Sequence, residues 1–123
     1  SVVMTNNTFV NMLANSGDGG YFKTGVLINT ITVNNNLFYV PSMKRNNYVF
    51  MNGLEKSSAT TLNNVCYTNG SEYGFYMFGE SSSTPPGAQR SITKLSESPF
   101  SSMDHANGVF VKTAAAASYG AKR

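Results

Sequence analysis

A chain of 123 residues with a single cysteine, Cys66, cannot form an internal disulfide. Its one histidine, His105, lies far along the chain from that cysteine, so no thiol–imidazole pair is expected to act as a nucleophile. Charged residues make up only 12% of the chain, and Asn, Ser, Thr and Gly carry much of its polarity. This composition is more typical of a secreted or cell-surface β protein than of a cytosolic enzyme. The 41% of hydrophobic residues argues against disorder.

The few acidic residues never cluster in the sequence; they are Asp18, Glu55, Glu72, Glu80, Glu97 and Asp104. The sequence therefore predicts no metal site, no cofactor and no paired-carboxylate hydrolase. The net charge is +3, and the only adjacent basic residues are Lys44-Arg45 and Lys122-Arg123. A nucleic-acid surface is not expected from such scattered charge. No apolar run approaches the length of a transmembrane helix.

An asparagine pair recurs three times in the same setting, at Asn6-Asn7, Asn35-Asn36 and Asn63-Asn64. The pairs are 29 and then 28 positions apart, and each lies between two short runs rich in β-branched and apolar residues. An aromatic-rich run that ends in glycine follows each pair, at residues 21–25, 49–53 and 75–79. A repeat of this length is the signature of stacked β units. The alternative, that these asparagines only mark polar loops, agrees less well with their spacing.

Three short strands per repeat, kept in register, predict an all-β parallel β-helix, a solenoid of about three rungs. The asparagine pair is expected to form a bend between strands, because Asn tolerates left-handed backbone angles better than most residues. Its side-chain amides are expected to hydrogen-bond from one repeat to the next. Phe9, Phe38 and Cys66 hold the same place in the three repeats and are expected to stack in the core.

The strand–Asn–Asn–strand repeats resemble the right-handed parallel β-helix of the pectate-lyase-like superfold. The tail contains Ser98-Pro99-Phe100, the strand-like run 107–110, four alanines at 114–117 and the end 120–123. It is similar to the C-terminal end of secreted Bacteroidetes-type β-helix proteins, although Ser98 stands where Asp is usual. The resemblance implies rungs over residues 1–97, an irregular cap over 98–123 and an extracellular or cell-surface location. Because Ser1-Val2 already lies within the first strand-like run, further β-helix rungs or another protein chain are expected at the open N-terminal end.

In this superfold the active face is usually the outer surface of the sheet that the aromatic runs would form. Only Lys23 carries a suitable charge for catalysis on those runs, so no complete catalytic set is expected within this chain. A lyase-like reaction is implied only if the whole protein is catalytic. Alternation along the runs predicts Phe22, Phe50 and Tyr76 inside. The opposite assignment would turn these aromatics into an outward ladder for sugar rings.

A binding surface is predicted on this sheet and on the loops beside it. Its candidate residues are tyrosines and basic side chains: Tyr21, Lys23, Lys44, Arg45, Tyr48 and Tyr73. Tyr beside Lys or Arg suits the recognition of acidic glycans. By fold analogy, the expected function is polysaccharide binding or processing by a secreted or cell-surface protein. The alternative is a non-catalytic structural or adhesive subunit of a surface fibre, spike or assembly.

Overall fold

The computed structural model describes residues 2–10, 20–22, 30–41, 46–50, 58–68, 73–79, 84–85 and 88–121. Over these residues the protein is all-β, and a single 3₁₀ turn at Ala114–Ala116 is its only helical piece. The strands, numbered in chain order, are β1 Val2–Thr5, β2 Thr8–Val10, β3 Gly20–Phe22, β4 Thr30–Asn34, β5 Leu37–Tyr39, β6 Asn47–Phe50, β7 Ser58–Leu62, β8 Val65–Tyr67, β9 Phe75–Phe78, β10 Thr93–Lys94, β11 Phe100–Asp104 and β12 Val109–Lys112.

Ten of these strands form three parallel sheets. Sheet A contains β1, β4 and β7; sheet B contains β2, β5, β8 and β10; sheet C contains β3, β6 and β9. Each repeat gives one strand to sheet A, then one to sheet B, then one to sheet C. Neighbouring strands in a sheet are therefore one repeat apart, and the predicted parallel pairing is confirmed.

The register of the strands follows the repeat of the asparagine pairs. In sheet A, Val2 pairs with Ile31 and Ile31 with Ala59. The amide ladder joins residues 29 apart between the first two repeats and 28 apart between the next two. Because hydrogen bonds hold this offset along whole strands, equivalent side chains of successive repeats lie directly beside one another.

The first residue of each asparagine pair makes the bend between sheets A and B. Asn6, Asn35 and Asn63 have φ angles of 58°, 60° and 58°, which is the left-handed region that the sequence predicted. The side chains of Asn6 and Asn35 also meet, since Asn35 Nδ2 donates a hydrogen bond to Asn6 Oδ1.

The second residue of each pair forms an inner amide ladder. Asn7 Nδ2 donates to Asn36 Oδ1 at 3.1 Å, and Asn36 Nδ2 donates to Asn64 Oδ1 at 2.9 Å. The backbone N–H groups of Asn7 and Asn36 donate to the same two oxygens, each at 3.0 Å. The predicted stack of asparagines is confirmed, and it satisfies backbone groups that the sharp bend would otherwise leave unpaired.

The main hydrophobic core takes side chains from all three sheets, including Ile31, Val33, Phe38, Cys66, Val49, Phe75 and Met77. Phe9 pairs in register with Phe38, and Phe38 with Cys66. The rings of Phe9 and Phe38 are 5.0 Å apart and nearly parallel, while Phe38 and Cys66 are fully buried. The predicted core stack is confirmed.

The predicted alignment of sheet C was wrong in its third repeat. Phe50 pairs with Phe78, and Tyr48 with Tyr76, whereas alignment on the closing glycines had placed Tyr76 beside Phe50. Phe50 is buried as predicted, but Val49, Phe75 and Met77, expected on the outer face, are buried as well, and Tyr76 is only half-buried. The closing glycine follows the strand, so loop length can move it, whereas the hydrogen-bonded strands keep a fixed offset. Both faces of these runs are apolar, so alternation alone could not select the inner one.

The last described repeat departs from the pattern. Met77 N donates to Arg90 O at 2.7 Å, and Ser91 forms an antiparallel bridge with Tyr76 at the edge of sheet C. The chain then reaches sheet B as β10, while Ile92 and Ala88 pack against the core. Ile92 precedes Thr93, the partner of Val65, and therefore takes the place that Asn64 holds one repeat earlier.

The C-terminal segment packs on the outer face of sheet B. The antiparallel hairpin β11–β12 brings Phe100 against Tyr39, in a second buried cluster with Leu37 and Val65. Gly120 N donates to Asn35 O at 3.0 Å. At φ 73° a Cβ on Gly120 would lie 2.4 Å from Thr8 Oγ1, so only glycine fits there. The division of the chain into residues 1–97 and 98–123 stays a prediction.

Candidate functional site

The outer face of sheet C carries two tyrosines in register, Tyr48 on β6 and Tyr76 on β9. Val49, Phe50, Phe75, Met77 and Phe78 of these strands are all buried in the core, whereas the two tyrosines lie outside the core cluster and keep part of their surface exposed. Both remain half-buried. Their ring centroids are 5.7 Å apart with an interplanar angle of 20°.

Gly74 makes room for this arrangement. A Cβ at Gly74 would lie 2.4–2.6 Å from the hydroxyl oxygen and ring carbons of Tyr76, so the ring lies directly over the glycine backbone. Gly74 N donates to Asn46 Oδ1 at 2.8 Å, and Asn47 N donates to Gly74 O at 2.9 Å. These bonds tie the segment before Tyr76 to the segment before Tyr48. The orientation of Tyr76 therefore depends on a residue without a side chain at position 74.

Arg90 completes the cluster. Its guanidinium carbon lies 4.0 Å from the centroid of the Tyr76 ring and 6.0 Å from that of Tyr48. An approach of 4.0 Å is too short for the ring edge, so the guanidinium lies on the face of Tyr76 as a cation–π contact. Nε donates to Phe78 O at 3.1 Å and Nη2 donates to Gly79 O at 3.0 Å, which fixes the plane of the group.

The two tyrosine rings are stacked, and the guanidinium carbon of Arg90 lies within 6.0 Å of both ring centroids. Together the three side chains form one surface of aromatic carbon next to a cation, here called the Tyr–Arg cluster (Tyr48, Tyr76 and Arg90).

This surface offers a ligand an apolar face beside hydrogen-bond donors. An aromatic face packs against the C–H groups of a pyranose ring, and the neighbouring guanidinium can donate hydrogen bonds to its oxygen atoms.

Of the six acidic residues of the chain, only Glu97 and Asp104 lie in the described ranges. Asp104 is on the hairpin, where hydrogen bonds from the Asn107 side chain and backbone lower the pKa of its carboxyl group.

The predicted site residues are only partly described. Tyr48 belongs to the Tyr–Arg cluster, and Tyr73 is half-buried one residue before Gly74. Tyr21 lies on β3 between the partners of Tyr48 and Phe50, so its register matches that of Val49 rather than Tyr48. Lys23, Lys44 and Arg45 lie outside the described residues.

Sequence reasoning placed Tyr76 in the core, with the outer face only as the alternative, and it did not identify Arg90 as a site residue. A constant offset of 28 from Tyr48 would have found Tyr76. Arg90 carried no such signal, because its segment pairs antiparallel with β9 and leaves the repeat.

Cys66 is not suited to nucleophilic chemistry. Its side chain is fully buried, and burial raises the pKa of its thiol from 9.0 to about 11, with Lys94 acting weakly in the opposite direction. The thiolate, which is the reactive form, is therefore scarce at neutral pH.

We expect Cys66 to react slowly with an alkylating reagent in the folded protein and rapidly once urea unfolds it. The pKa of the Cys66 thiol is higher in the folded than in the unfolded protein, so loss of the thiol proton favours the unfolded state. The free energy of unfolding should therefore fall as the pH rises from 9.0 to about 11. Intact-mass measurement of the labelling rate, with and without urea, tests the burial. Equally fast labelling in both conditions would place Cys66 at the surface.

A separate polar cavity of about 200 Å³ lies beside Asn64, Ile92 and Tyr119. Its described lining contains no carboxylate, imidazole, thiol or amine group.

In the described ranges, no three His, Cys, Asp or Glu side chains come together as a metal site. Among the same residues, no helix has the length and apolar character needed to cross a membrane.

Comparison of the chain with protein-family models, curated proteins and solved structures finds no match.

Proposed function

We propose that sheets A, B and C are the three faces of a right-handed parallel β-helix of the pectate-lyase-like class. The chain runs through the sheets in the same order in every repeat, and their register stays constant. The asparagine bend between sheets A and B supports the same class, because proteins of the pectate-lyase-like superfold have an asparagine ladder at one such turn between strands. Right-handedness follows the strong preference of parallel crossovers in general.

We propose further that the protein binds polysaccharide on the outer face of sheet C and works outside the cell or at its surface. The Tyr–Arg cluster is the observation that carries this proposal. It offers partly exposed aromatic rings whose positions are held by strand register and whose neighbouring cation is held by two backbone carbonyls. A preformed surface of this kind loses little conformational entropy on binding.

Replacing Tyr48 with Ala should weaken the binding of a soluble polysaccharide by about tenfold, since stacking of one ring contributes on the order of 1 kcal/mol or more. Affinity electrophoresis or calorimetry against a panel of plant, algal and animal polysaccharides measures the effect. The thermal midpoint should change little, because Tyr48 is not part of the buried core.

Tyr67→Ala is the matched control. Tyr67 is also half-buried and lies 5.7 Å from a register partner, Tyr39, but it belongs to sheet B beneath the C-terminal segment. Binding should survive this change. If Tyr48→Ala binds every polymer of the panel as the unmodified chain does, the cluster is not the binding surface.

A structural or adhesive role is the second candidate. Val3 and Leu62 are 70% and 58% exposed, and alternation puts both on the outer face of sheet A with Thr32 and Thr60. Exposed apolar residues on a flat, uncharged face favour contact with another protein surface. A chain that binds no polysaccharide but associates in solution, and loses that association in Val3→Lys, would support this role instead.

A further inference from the structure

Arg90 uses only part of its hydrogen-bonding capacity within the protein. A guanidinium group has five N–H donors. Nε binds Phe78 O and one Nη2 hydrogen binds Gly79 O, so the edge of the group that joins Nε to Nη2 is occupied. The opposite edge, formed by Nη1 and the second Nη2 hydrogen, has no acceptor among the described residues. That edge is the one that can grip an oxyanion with two parallel hydrogen bonds.

The charge of Arg90 is also uncompensated within the described part of the chain. Its contacts there are two neutral carbonyl oxygens and the two tyrosine rings, and neither Glu97 nor Asp104 pairs with it. A half-buried cation without a carboxylate partner favours an anionic ligand. Because the carbonyls and the face of Tyr76 fix its plane, little entropy is lost when a ligand takes the free edge.

We infer that Arg90 recognises an acidic group on the sugar unit that packs on Tyr48. This inference rests on the proposed polysaccharide-binding function and adds the class of ligand. The guanidinium carbon is 6.0 Å from the centre of the Tyr48 ring, so an acidic substituent of a sugar lying on that ring is within reach of the guanidinium group. The recognised chemistry is an oxyanion, either a carboxylate or a sulfate ester, and the contact is direct, so it needs no bridging cation.

Two pairs of polymers test the inference, and the members of each pair share a backbone and differ in the acidic group. Alginate is compared with its carboxyl-reduced form, and dextran sulfate with dextran. The unmodified chain should bind at least one acidic member about tenfold more tightly than its neutral form, as expected for one charge-assisted contact. The pair that shows the preference identifies carboxylate or sulfate. Binding should weaken as salt is added and should be unaffected by EDTA.

Arg90→Gln should remove this preference, so that the acidic and neutral members of a pair bind with similar affinity. Arg90→Lys, which keeps the charge but not the planar fork, should retain only part of it. Lys94→Gln is the control, since it loses the same charge from an exposed position on sheet B. Thermal melts accompany each variant, because Arg90 also bonds the end of β9. If Arg90→Gln fails to fold, the paired polymers and the EDTA experiment on the unmodified chain still decide.

The possible failures are distinct. Binding of neutral and acidic members with equal affinity, lost in Tyr48→Ala, would overturn the role of Arg90 and keep the proposed function. Acid-selective binding that a folded Arg90→Gln retains, or that EDTA abolishes, would also overturn it. If no polymer binds, both the inference and the proposed function fail.

Discussion

Replacing Phe38 with Ala should lower the free energy of unfolding by about 3–5 kcal/mol, the range for removing a large buried aromatic side chain. Phe38 is fully buried at the centre of the core. The centroid of its ring lies 5.0 Å from that of Phe9 in the previous repeat and 5.2 Å from that of Phe75 in sheet C. The substitution therefore leaves a cavity between two sheets, which strands held in register cannot close easily.

Urea unfolding of the purified chain measures this loss, with the slope checked for an unchanged denatured state. Phe9→Ala is the matched control, because Phe9 occupies the same position in the first repeat but is only half-buried. It should destabilise the protein clearly less. An unchanged unfolding midpoint in Phe38→Ala would mean that Phe38 does not lie in the core.

Replacing Asn36 with Ala should lower the free energy of unfolding by about 2–6 kcal/mol, although the side chain removed is small and polar. Asn36 is fully buried. Its Oδ1 accepts from the backbone and side chain of Asn7, and its Nδ2 donates to Met4 O, to Asn34 O and to Asn64 Oδ1. Alanine leaves the Asn7 N–H and the Met4 carbonyl without these partners, and each unsatisfied buried group costs about 1–3 kcal/mol.

Asn7→Ala tests whether burial, rather than asparagine itself, sets the size of the effect. Asn7 occupies the same ladder position in the first repeat but is half-buried, and its side chain donates only to Thr5 O and Asn36 Oδ1. We expect a loss of about 1 kcal/mol. Equal losses at the two positions, measured by urea unfolding, would contradict the importance of the buried ladder.

The candidate site was only partly predictable. Tyr48 could be chosen from the sequence because it stands beside basic residues in an aromatic run. Its pairing with Tyr76 required the register, and glycine spacing misaligned the third repeat by two residues. The place of Gly74 under the Tyr76 ring also depends on a side-chain orientation that no local pattern encodes.

The sequence by itself determined the strands of each repeat, their parallel order and the asparagine bends. These features depend on local backbone preferences and on the repeat of residue types along the chain. Both can be read directly from the sequence. The left-handed angles at Asn6, Asn35 and Asn63 and the core stack at Phe38 were predicted for this reason.

Only the tertiary structure decided which side of sheet C is buried, where the C-terminal segment lies and how Arg90 reaches the tyrosines. Each depends on contacts between residues that are distant in sequence or that leave the repeat. The C-terminal segment packs on sheet B because this contact buries the apolar side chains of Leu37, Tyr39 and Val65. Arg90 reaches Tyr76 because its segment runs antiparallel along β9. Periodicity cannot predict where periodicity ends, since at that point packing and hydrogen bonding alone set the path of the chain.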